Sequence, residues 1–346
     1  MKYYVGLDVS MKETAICIMD QDGKIMHEKM VTTEPEDISK YLASKKYPFE
    51  RIGIEASNLA IWLYKTLNAS GYRIVCIETH HAKAAMAAQN VKTDKNDARG
   101  IAQMMRTGWY KPVHIKSENS QRLKMVINNR KCLVGQRLVI ENQIRGTLKT
   151  FGLKVGETTR HKYESRIREL IEGDGELEIA IHPLLDVRAL IVKQIQMLEK
   201  LLATAAKNDQ ICRNFMSIPG VGPLTALLFK AVIDDPKRFR RSRHVPVHLG
   251  LTPRKYASGE VDYNGRITKC GDDLLRNHLY EAAAVVLRQT TKKNELKSWG
   301  LSIAKRSSTK NARVAVARKL AVIMHRMWLD CTEFDWNAGL SEKKAA

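Results

Sequence analysis

The amino-acid sequence predicts an α/β domain at the N-terminus, followed by two segments that are mainly helical. Three apolar runs rich in β-forming residues come first, at residues 2–9, 13–19 and 24–31. Asp22-Gly23, between the second and third runs, predicts a hairpin turn. Helices are then predicted at 35–46, about 61–67 and 94–105, alternating with strands at 51–55 and 73–77. Three consecutive strands followed by this alternation are typical of a ribonuclease-H-like layout.

The remainder of the chain changes character near residue 113. Apolar residues at helical spacing run from Leu123 to Phe151, and a second long helix is predicted after Pro183. Its apolar residues have the gaps of a coiled-coil seam, although packing within the chain explains them equally well. They are Leu184, Val187, Ile191, Ile195, Leu198 and Leu202. The predicted division is an α/β domain at 1–112, a helical coiled-coil linker at 113–210, a mainly α domain at 211–335 and a tail at 336–346 that is disordered after Gly339.

The composition indicates a polyanionic partner. The chain has 346 residues, 44% of them hydrophobic, and a formal net charge of +21. Nucleic acid is the first candidate for such a charge and an anionic membrane surface the second. No apolar run approaches the roughly 18 residues that a spanning helix requires, and Asp8 comes too early for a secretory signal. We therefore expect a cytoplasmic, nucleoid-associated protein with no membrane contact.

The cysteines are scattered along the chain without a C-x-x-C pair, which argues against both a disulfide framework and a zinc site. We expect all of them to be small buried hydrophobic residues of a cytosolic protein. The six are Cys17, Cys76, Cys132, Cys212, Cys270 and Cys331.

Four acidic residues form the first candidate site. Asp8 lies inside an apolar strand and Glu55 ends another, and a half-buried carboxylate is costly unless something compensates its charge. Asp94 and Asp97 share one face at a predicted helix start. Together the four would make a hard oxygen-ligand site for Mg²⁺ or Mn²⁺. Alternatively, Asp94 and Asp97 only cap their helix and complement its dipole. The order of the acids along the chain favours the metal, because it is that of a RuvC-like nuclease domain.

Ser258 is the second candidate, because it lies between small residues in a basic loop. A serine nucleophile would conserve phosphodiester energy in a covalent bond, which recombination needs and hydrolysis does not. Neighbouring cations would stabilise the charge that develops on the phosphate. They are Arg254, Lys255, Arg266 and Lys269. Spacing alone favours an ordinary turn at Ser258-Gly259.

Further basic residues are predicted to bind nucleic acid. They are Arg238, Arg240, Arg241 and Arg243 in one cluster, and Arg122, Arg130 and Lys131 on the first linker helix. The segment 219–222 (PGVG) precedes an apolar helix and resembles a helix-hairpin-helix turn that would hold a phosphate, although a tight structural turn explains it as well. His80 and His81 are adjacent, so they are not expected to converge on one metal ion.

These segments resemble the DEDD insertion-sequence transposases. The N-terminal matches are VGLDVS at 5–10, IEAS at 54–57 and KTDKNDA at 92–98. The C-terminal matches are IPGVG at 218–222, HLGLTPR at 248–254, YASG at 256–259 and RITKCG at 266–271. The motifs are ordered and correctly spaced from the first strand to the last helix.

The resemblance implies a RuvC-like domain joined to a serine-bearing domain through a helical, coiled-coil linker. By residue match, Asp8, Glu55, Asp94 and Asp97 are metal ligands and Ser258 is the nucleophile that joins covalently to DNA. The family moves its element as circular DNA, and at least some members are guided by a non-coding bridge RNA that pairs with donor and target DNA. Its active sites combine domains from different protomers, which implies a homo-oligomer, either a dimer or a tetramer.

Three functions are compatible with these residues. The first is a bridge-RNA-guided serine recombinase. The second is a metal-dependent endonuclease specific for four-way junctions, in which Ser258 is only structural. The third is a nucleic-acid-binding protein that keeps the fold without activity, which the four intact acids disfavour. A covalent protein–DNA adduct separates the first from the second.

Overall fold

The computed structural model describes residues 1–87, 93–289 and 294–336. The chain divides into two units, Met1–Lys116 and Ser117–Ala346. The predicted tail at 336–346 lies outside the described residues apart from Trp336, and so does its part after Gly339, for which disorder is predicted. Within the described ranges, no helix is long and apolar enough to cross a membrane.

A five-stranded mixed sheet forms the centre of the first unit. Its strands are β1 (Tyr3–Val9), β2 (Glu13–Asp20), β3 (Ile25–Thr32), β4 (Phe49–Glu55) and β5 (Ile74–Ile77). The order is β3-β2-β1-β4-β5, with β1 antiparallel to β2 and parallel to β4. Asp22 and Gly23 turn the chain between β2 and β3, where Gly23 takes a φ of +89°. The predicted hairpin is therefore present, and the sheet agrees with the ribonuclease-H-like layout.

Helices cover both faces of this sheet because its strands alternate apolar residues toward each side. The helices are α1 (Pro35–Ser44), α2 (Asn58–Ala69), α3 (Thr79–Met86) and α4 (Asp94–Thr107). Val5 and Leu7 of β1 pack in the cluster formed with α1 and α2, whereas Tyr4 packs in the cluster that contains Ile101 and Met105 of α4. Even-numbered residues of β1 thus face α4, which decides where Asp8 points.

The second unit is mainly helical. Its elements are α5 (Glu118–Thr150), α6 (Tyr163–Ile171), α7 (Gly175–Asn208), α8 (Gln210–Met216), α9 (Pro223–Ile233), α10 (Val245–His248), β6 (Pro253–Ser258), β7 (Val261–Ile267), α11 (Asp273–Arg288), α12 (Glu295–Arg306) and α13 (Thr309–Asp330). Its largest apolar core joins α9, α11 and α13 with one end of α5 and α7. The structure thus groups the predicted linker and the predicted C-terminal domain in one unit, and their separation stays a prediction.

Helices α5 and α7 are long and run antiparallel. Ile127, near the start of α5, packs in the core with Leu202, near the end of α7. At the opposite end, Leu148 packs in a separate cluster with Ile181. An ion pair of 2.6 Å joins Arg130 to Glu199 between these two clusters.

The prediction that the second long helix begins after Pro183 is wrong, because α7 begins at Gly175 and Pro183 lies inside it. Asp174 caps the helix by accepting a hydrogen bond of 3.1 Å from the Leu177 backbone N–H. Leu177 and Ile181 are buried and extend the packed face upstream. Proline has a φ that fits a helix, but it lacks the N–H for one backbone hydrogen bond. The buried side chains on both sides of Pro183 offset the loss of that hydrogen bond.

The predicted coiled-coil residues divide between two environments. Ile195 and Leu202 are buried within this chain, whereas Val187 is 48% exposed. A second set of apolar residues on α7, which shares only Val187 with the predicted seam, is exposed to solvent. Its members are separated by three or four residues or by sums of such steps. They are Ile179 at 78%, Val187 at 48%, Leu190 at 58%, Met197 at 57% and Leu201 at 55%. This set is called the outer stripe below.

The prediction that all six cysteines are buried is wrong for half of them. Cys17, Cys76 and Cys212 are buried, but Cys132, Cys270 and Cys331 are exposed. Cys132 lies on α5, Cys270 lies in the loop after β7, and Cys331 ends α13 with a φ of +54°. Hydrophobic character alone did not decide their burial, because all three lie at exposed positions of a helix face, a loop or a helix end.

Native-state alkylation should therefore label three cysteines and spare three. Burial raises the pKa of Cys17 and Cys212 to about 12 and that of Cys76 to about 11, so their reactive thiolate forms are rare at pH 8. We expect iodoacetamide at pH 8 to modify Cys132, Cys270 and Cys331 within minutes, measured by peptide mass spectrometry. The urea-unfolded chain, in which all six should react, is the control. Rapid labelling of Cys17 in the folded protein would contradict the packing described for β2.

Candidate active site and nucleic-acid interface

Two of the predicted metal ligands lie on neighbouring strands at the same edge of the sheet. Leu7 of β1 pairs with Ile54 of β4 in parallel register, so Asp8 and Glu55 occupy the next positions of the two strands. Both side chains are half-buried. The carboxyl ends of parallel strands are a common place for functional groups in α/β sheets.

The two side chains point toward α4. A Cβ added to Gly6, two residues before Asp8, would lie 2.0 Å from the Ala98 carbonyl oxygen. A Cβ added to Gly53, two residues before Glu55, would lie 2.7 Å from Ile101. Because side chains two apart on a strand share a face, Asp8 and Glu55 face α4 as well. The glycines allow the helix to cross the strands closely.

Helix α4 contributes the other two acids. Ala98 packs beside Gly6, and Met105 packs in the cluster that contains Tyr4, so the helix runs opposite to β1. Its N-terminus, with Asp94 and Asp97, therefore lies toward the end of β1 that carries Asp8. Asp94 is exposed and Asp97 is half-buried. The tertiary structure thus brings all four predicted acids to one region of the first unit, called the carboxylate edge below.

The alternative for Asp94 and Asp97 is reduced from capping and dipole to the helix dipole alone, because another residue caps α4. Thr93 is the N-cap of α4, and its hydroxyl accepts a hydrogen bond of 3.2 Å from the Asn96 backbone N–H. The two acids lie in the first turn, where they also favour the helix dipole. Among the described residues, no group of three or more His, Cys, Asp or Glu is close enough to hold a metal ion. The acids share a region without forming a closed cluster.

An ion pair that the sequence did not suggest lies next to this edge. Arg99 of α4 donates to both carboxylate oxygens of Glu28 on β3, at 2.5 and 2.7 Å, and to Asn96 at 3.0 Å. These hydrogen bonds lower the pKa of the Glu28 carboxyl. The pair ties the first turns of α4 to the sheet. Arg99 directly follows the motif that carries Asp94 and Asp97. Its sequence position does not predict that it pairs with Glu28, which lies 71 positions away.

Ser258 ends the first strand of a two-stranded ribbon, formed by β6 and β7, at a tight turn. It pairs with Val261, and Gly259 between them takes a φ of +55°. Every residue from Arg254 to Tyr263 in the ribbon is exposed, so Ser258 is accessible. Lys255 forms an exposed ion pair of 3.2 Å with Asp262. Arg254, Arg266 and Lys269 are exposed on or beside the ribbon.

The base of the ribbon is tightly built, which positions the serine. A Cβ on Gly250 would lie 2.2 Å from the Cys270 carbonyl oxygen, and one on Gly271 would lie 2.2 Å from that of His248. Both glycines also have positive φ, of +66° and +75°. Arg276 of α11 donates to the carbonyls of Leu249, Cys270 and Gly271 at 3.2, 2.7 and 3.1 Å. The motifs at 248–254 and 266–271 thus pack against each other at the base of the ribbon. The sequence did not predict the role of Arg276.

The predicted nucleic-acid-binding residues fall into two groups. Arg240, Arg241 and Arg243 are exposed. Several others are engaged in ion pairs within the second unit: Arg122 with Glu118 at 2.5 Å, Arg130 with Glu199 at 2.6 Å and Lys131 with Asp273 at 3.2 Å. Their role in nucleic-acid binding stays a prediction, and packing of α5 accounts for Arg130.

Arg238 holds the basic cluster in place. Its guanidinium donates 3.0 Å to the Ile233 carbonyl, lies 3.0 Å from His248 Nε2 and stacks at 4.4 Å on Phe239. Burial lowers the pKa of this guanidinium. The fully buried His325 also holds the segment, through contacts of 2.9 Å to Ser242 Oγ and to the Pro236 carbonyl. The segment is therefore a fixed loop that presents its other arginines.

The salt dependence of nucleic-acid binding should change when two of these arginines are neutralised. We expect Arg240→Gln with Arg241→Gln to reduce the slope of log Kd against log salt by about 0.9 for each phosphate of duplex DNA that the variant no longer neutralises. Fluorescence anisotropy between 50 and 300 mM salt (roughly the range where such slopes are linear) measures it. Arg166→Gln with Arg168→Gln is the matched control, since both arginines form ion pairs on α6. Equal slopes for the two double variants would contradict a role for the cluster.

The turn at residues 219–222 has a structural explanation. Gly220 takes a φ of +82°, and a Cβ there would lie 2.8 Å from the Ala282 carbonyl oxygen of α11. Ile218 and Val221 are buried on either side. This packing supports the structural alternative. His81 packs edge-on against Trp109 at 5.3 Å, while His80 is exposed.

Comparison with known proteins assigns the class. A DEDD transposase model matches residues 5–152, and the model of the IS116/IS110/IS902 transposase family matches residues 212–298. These matches define the protein as an insertion-sequence transposase. The chain belongs to the DEDD insertion-sequence transposases of the IS110 type.

Individual relatives agree with this assignment. The transposase for insertion sequence element IS1111A of Coxiella burnetii is 29% identical and covers 92% of this chain and 88% of its own length. The transposase for IS1328 of Yersinia enterocolitica is 23% identical over 92% of this chain and 94% of its own. Among solved structures, Thermus thermophilus RuvC aligns over 32% of this chain and 99% of its own, with 15% identity and a TM-score of 0.25.

Proposed function

We propose that this protein is a recombinase of an insertion sequence that exchanges DNA strands with a divalent metal and a serine nucleophile, guided by a bridge RNA from its element. The carboxylate edge is the observation that carries the proposal, because β1, β4 and the first turn of α4 bring four acids to one region of the first unit, although the acids form no closed cluster. The proposed division of labour assigns metal binding to residues 1–112, assembly to 113–210 and strand joining to 211–335.

The donor set of the carboxylate edge fits Mg²⁺ or Mn²⁺. Asp8, Glu55, Asp94 and Asp97 offer only oxygen ligands, which hard cations prefer. Asp8 and Glu55 are half-buried, where an opposite charge offsets the cost of a carboxylate. A bound ion would polarise a phosphoryl oxygen and neutralise the charge that develops on it.

Ser258 is proposed to carry out the joining step. Its Oγ forms a bond to phosphorus while the bond from phosphorus to the leaving strand breaks, and the leaving oxygen takes up a proton. The incoming strand's hydroxyl then reverses the exchange and restores the serine. One phosphodiester is exchanged for another, so no external energy source is needed. Arg254 and Lys269 are exposed on and beside the same ribbon and are suited to stabilise the phosphate charge.

The proposed partners are donor DNA, target DNA and the bridge RNA. A net charge of +21 and a fixed loop that exposes Arg240, Arg241 and Arg243 support polyanionic partners. RNA guidance is proposed from the family resemblance, and the family matches support that resemblance. A cytoplasmic, nucleoid-associated location is part of the same proposal.

The homo-oligomer is proposed to form through the outer stripe of α7. Five exposed apolar side chains on one helix are an unusual surface for a monomer and have the spacing of a coiled-coil seam. Pairing of two stripes would bring together two copies of a chain whose acids and serine are proposed to act across protomers.

Charges on the outer stripe should therefore dissociate the oligomer. We expect Leu190→Glu with Leu201→Glu to shift the mass measured by light scattering to that of one chain, because each glutamate would have to be buried unpaired. Leu301→Glu on α12 is the control, since Leu301 is also exposed, at 41%. A mass unchanged by the double substitution would show that assembly uses another surface.

A junction endonuclease is the second candidate function. Ser258 lies next to Gly259 at an ordinary turn, so its position is also explained without chemistry. The distinguishing experiment supplies protein, Mg²⁺, RNA transcribed from the flanks of the element, and two labelled duplexes. Recombinant product with exchanged labels supports the recombinase, whereas symmetrical nicks in a four-way junction without rejoining support the endonuclease.

A further inference from the structure

Two tyrosines on the β6–β7 ribbon form a stacked, solvent-exposed pair. Tyr256 and Tyr263 are cross-strand partners, and their ring centroids are 4.9 Å apart with 19° between the planes. Their side chains are 44% and 55% exposed. The ribbon buries none of its residues, so the pair does not belong to an apolar core. Two large rings held parallel in water have area available for a further planar group.

The backbone beneath the pair is shaped to hold Tyr256. A Cβ on Gly265 would lie 2.9 Å from Cε2 of the Tyr256 ring, so a larger residue at this position would displace the ring from where it lies against the strand. The register between β6 and β7 is irregular next to it, which is typical of a bulge that re-aims a side chain. Gly265 and the irregular register thus leave room for the Tyr256 ring beside its stacking partner.

The pair shares a face of the ribbon with Ser258. Side chains two apart on a strand lie on the same face, so Arg254, Tyr256 and Ser258 are together on β6. Tyr263 joins them from β7, opposite Tyr256. The acid of β7, Asp262, belongs to the opposite face and is paired with Lys255 at 3.2 Å. This face thus combines a cation, stacked rings and a hydroxyl.

We propose that the Tyr256–Tyr263 pair stacks an unpaired nucleobase and so positions the adjoining backbone at Ser258. Aromatic rings stack on bases of any sequence, and a nearby arginine favours the phosphate that follows the base. An apolar protein partner would not require the cation, and fully paired duplex has no free base face to offer. The role given to Ser258 here rests on the proposed function. The stacking of a base on the two tyrosines does not depend on it. The two tyrosines are positioning residues.

The test measures binding in a Ser258→Ala background, where no adduct forms. A single-stranded oligonucleotide is compared with its paired duplex by anisotropy. We expect Tyr263→Ile, which keeps a β-branched residue in the strand, to weaken single-strand binding about 5- to 150-fold and duplex binding less than about 2-fold. Tyr263→Phe should bind like the parent. Phe151→Ile is the matched control, since Phe151 is 60% exposed at the end of α5.

Photochemical crosslinking identifies the residues that contact the base. A strand carrying one 5-iodouracil, irradiated with the Ser258→Ala protein, should crosslink to Tyr256 or Tyr263 in the peptide map. Equal weakening on both DNAs, no weakening, or crosslinks only elsewhere would overturn the proposal, and circular dichroism melting excludes an unfolded variant. Selective weakening of single-strand binding supports it even if wild-type Ser258 yields no adduct, so failure of the serine mechanism is distinguished from failure of stacking.

Discussion

Ser258→Ala is expected to abolish the covalent protein–DNA adduct and the recombinant product while leaving RNA and DNA binding intact. Removal of a nucleophilic hydroxyl typically costs on the order of 10³-fold or more in rate, because the remaining groups stabilise charge but form no intermediate. The folded state should tolerate the change, since Ser258 is exposed at the end of β6. Denaturing gel electrophoresis of a reaction with nicked, labelled DNA measures the adduct, and peptide mapping should place the nucleotide on Ser258.

Two companion variants sharpen this experiment. Ser298→Ala changes a serine on α12 whose hydroxyl donates to its own helix, and it should leave the adduct unchanged. Ser258→Cys should retain trace activity, since a thiolate is also nucleophilic. Recombination by the alanine variant, or a nucleotide found on Tyr256 or Tyr263, would exclude the serine mechanism and favour the junction endonuclease.

Asp8→Asn is expected to abolish recombination at unchanged stability. The substitution keeps the size of the side chain but removes the charge that would hold a divalent ion at the carboxylate edge. Loss of several kcal/mol of transition-state stabilisation corresponds to roughly 10³-fold in rate. Asp97→Asn should behave alike, because Thr93 and not Asp97 caps α4. Product formation under single-turnover conditions is the measurement.

Removing and restoring the metal tests the role of Asp8 independently of the substitutions. Excess EDTA should stop the wild-type reaction, and Mg²⁺ or Mn²⁺ should restore it. Asp37→Asn is the matched control, since Asp37 is an exposed acid in the first turn of α1. Calorimetric titration with Mn²⁺ should detect binding to the wild type and to the control but not to Asp8→Asn. Full activity in chelator would reject the metal site, whatever the variants do.

Much of the first unit follows from local pattern. Alternating apolar residues, the Asp22-Gly23 turn and amphipathic helical spacing predicted all five strands and the helices α1, α2 and α4, because each depends on residues close in sequence. The start of α7 was missed because proline is usually read as a helix boundary, while the helix is held on both sides of Pro183 by buried side chains.

The sequence by itself determined which residues are candidates for chemistry: the acids, the serine and the basic clusters are recognisable by type and order. The tertiary structure alone decided which of them lie in the same region of the molecule. Gly6 and Gly53 admit α4 to the sheet and so bring Asp94 and Asp97 to the edge that carries Asp8 and Glu55. Gly250, Gly271 and Arg276 fix the ribbon that presents Ser258, while burial assigns Arg238 to support of its loop. The reason is physical: close backbone approach and desolvation depend on residues distant in sequence, which no local pattern encodes.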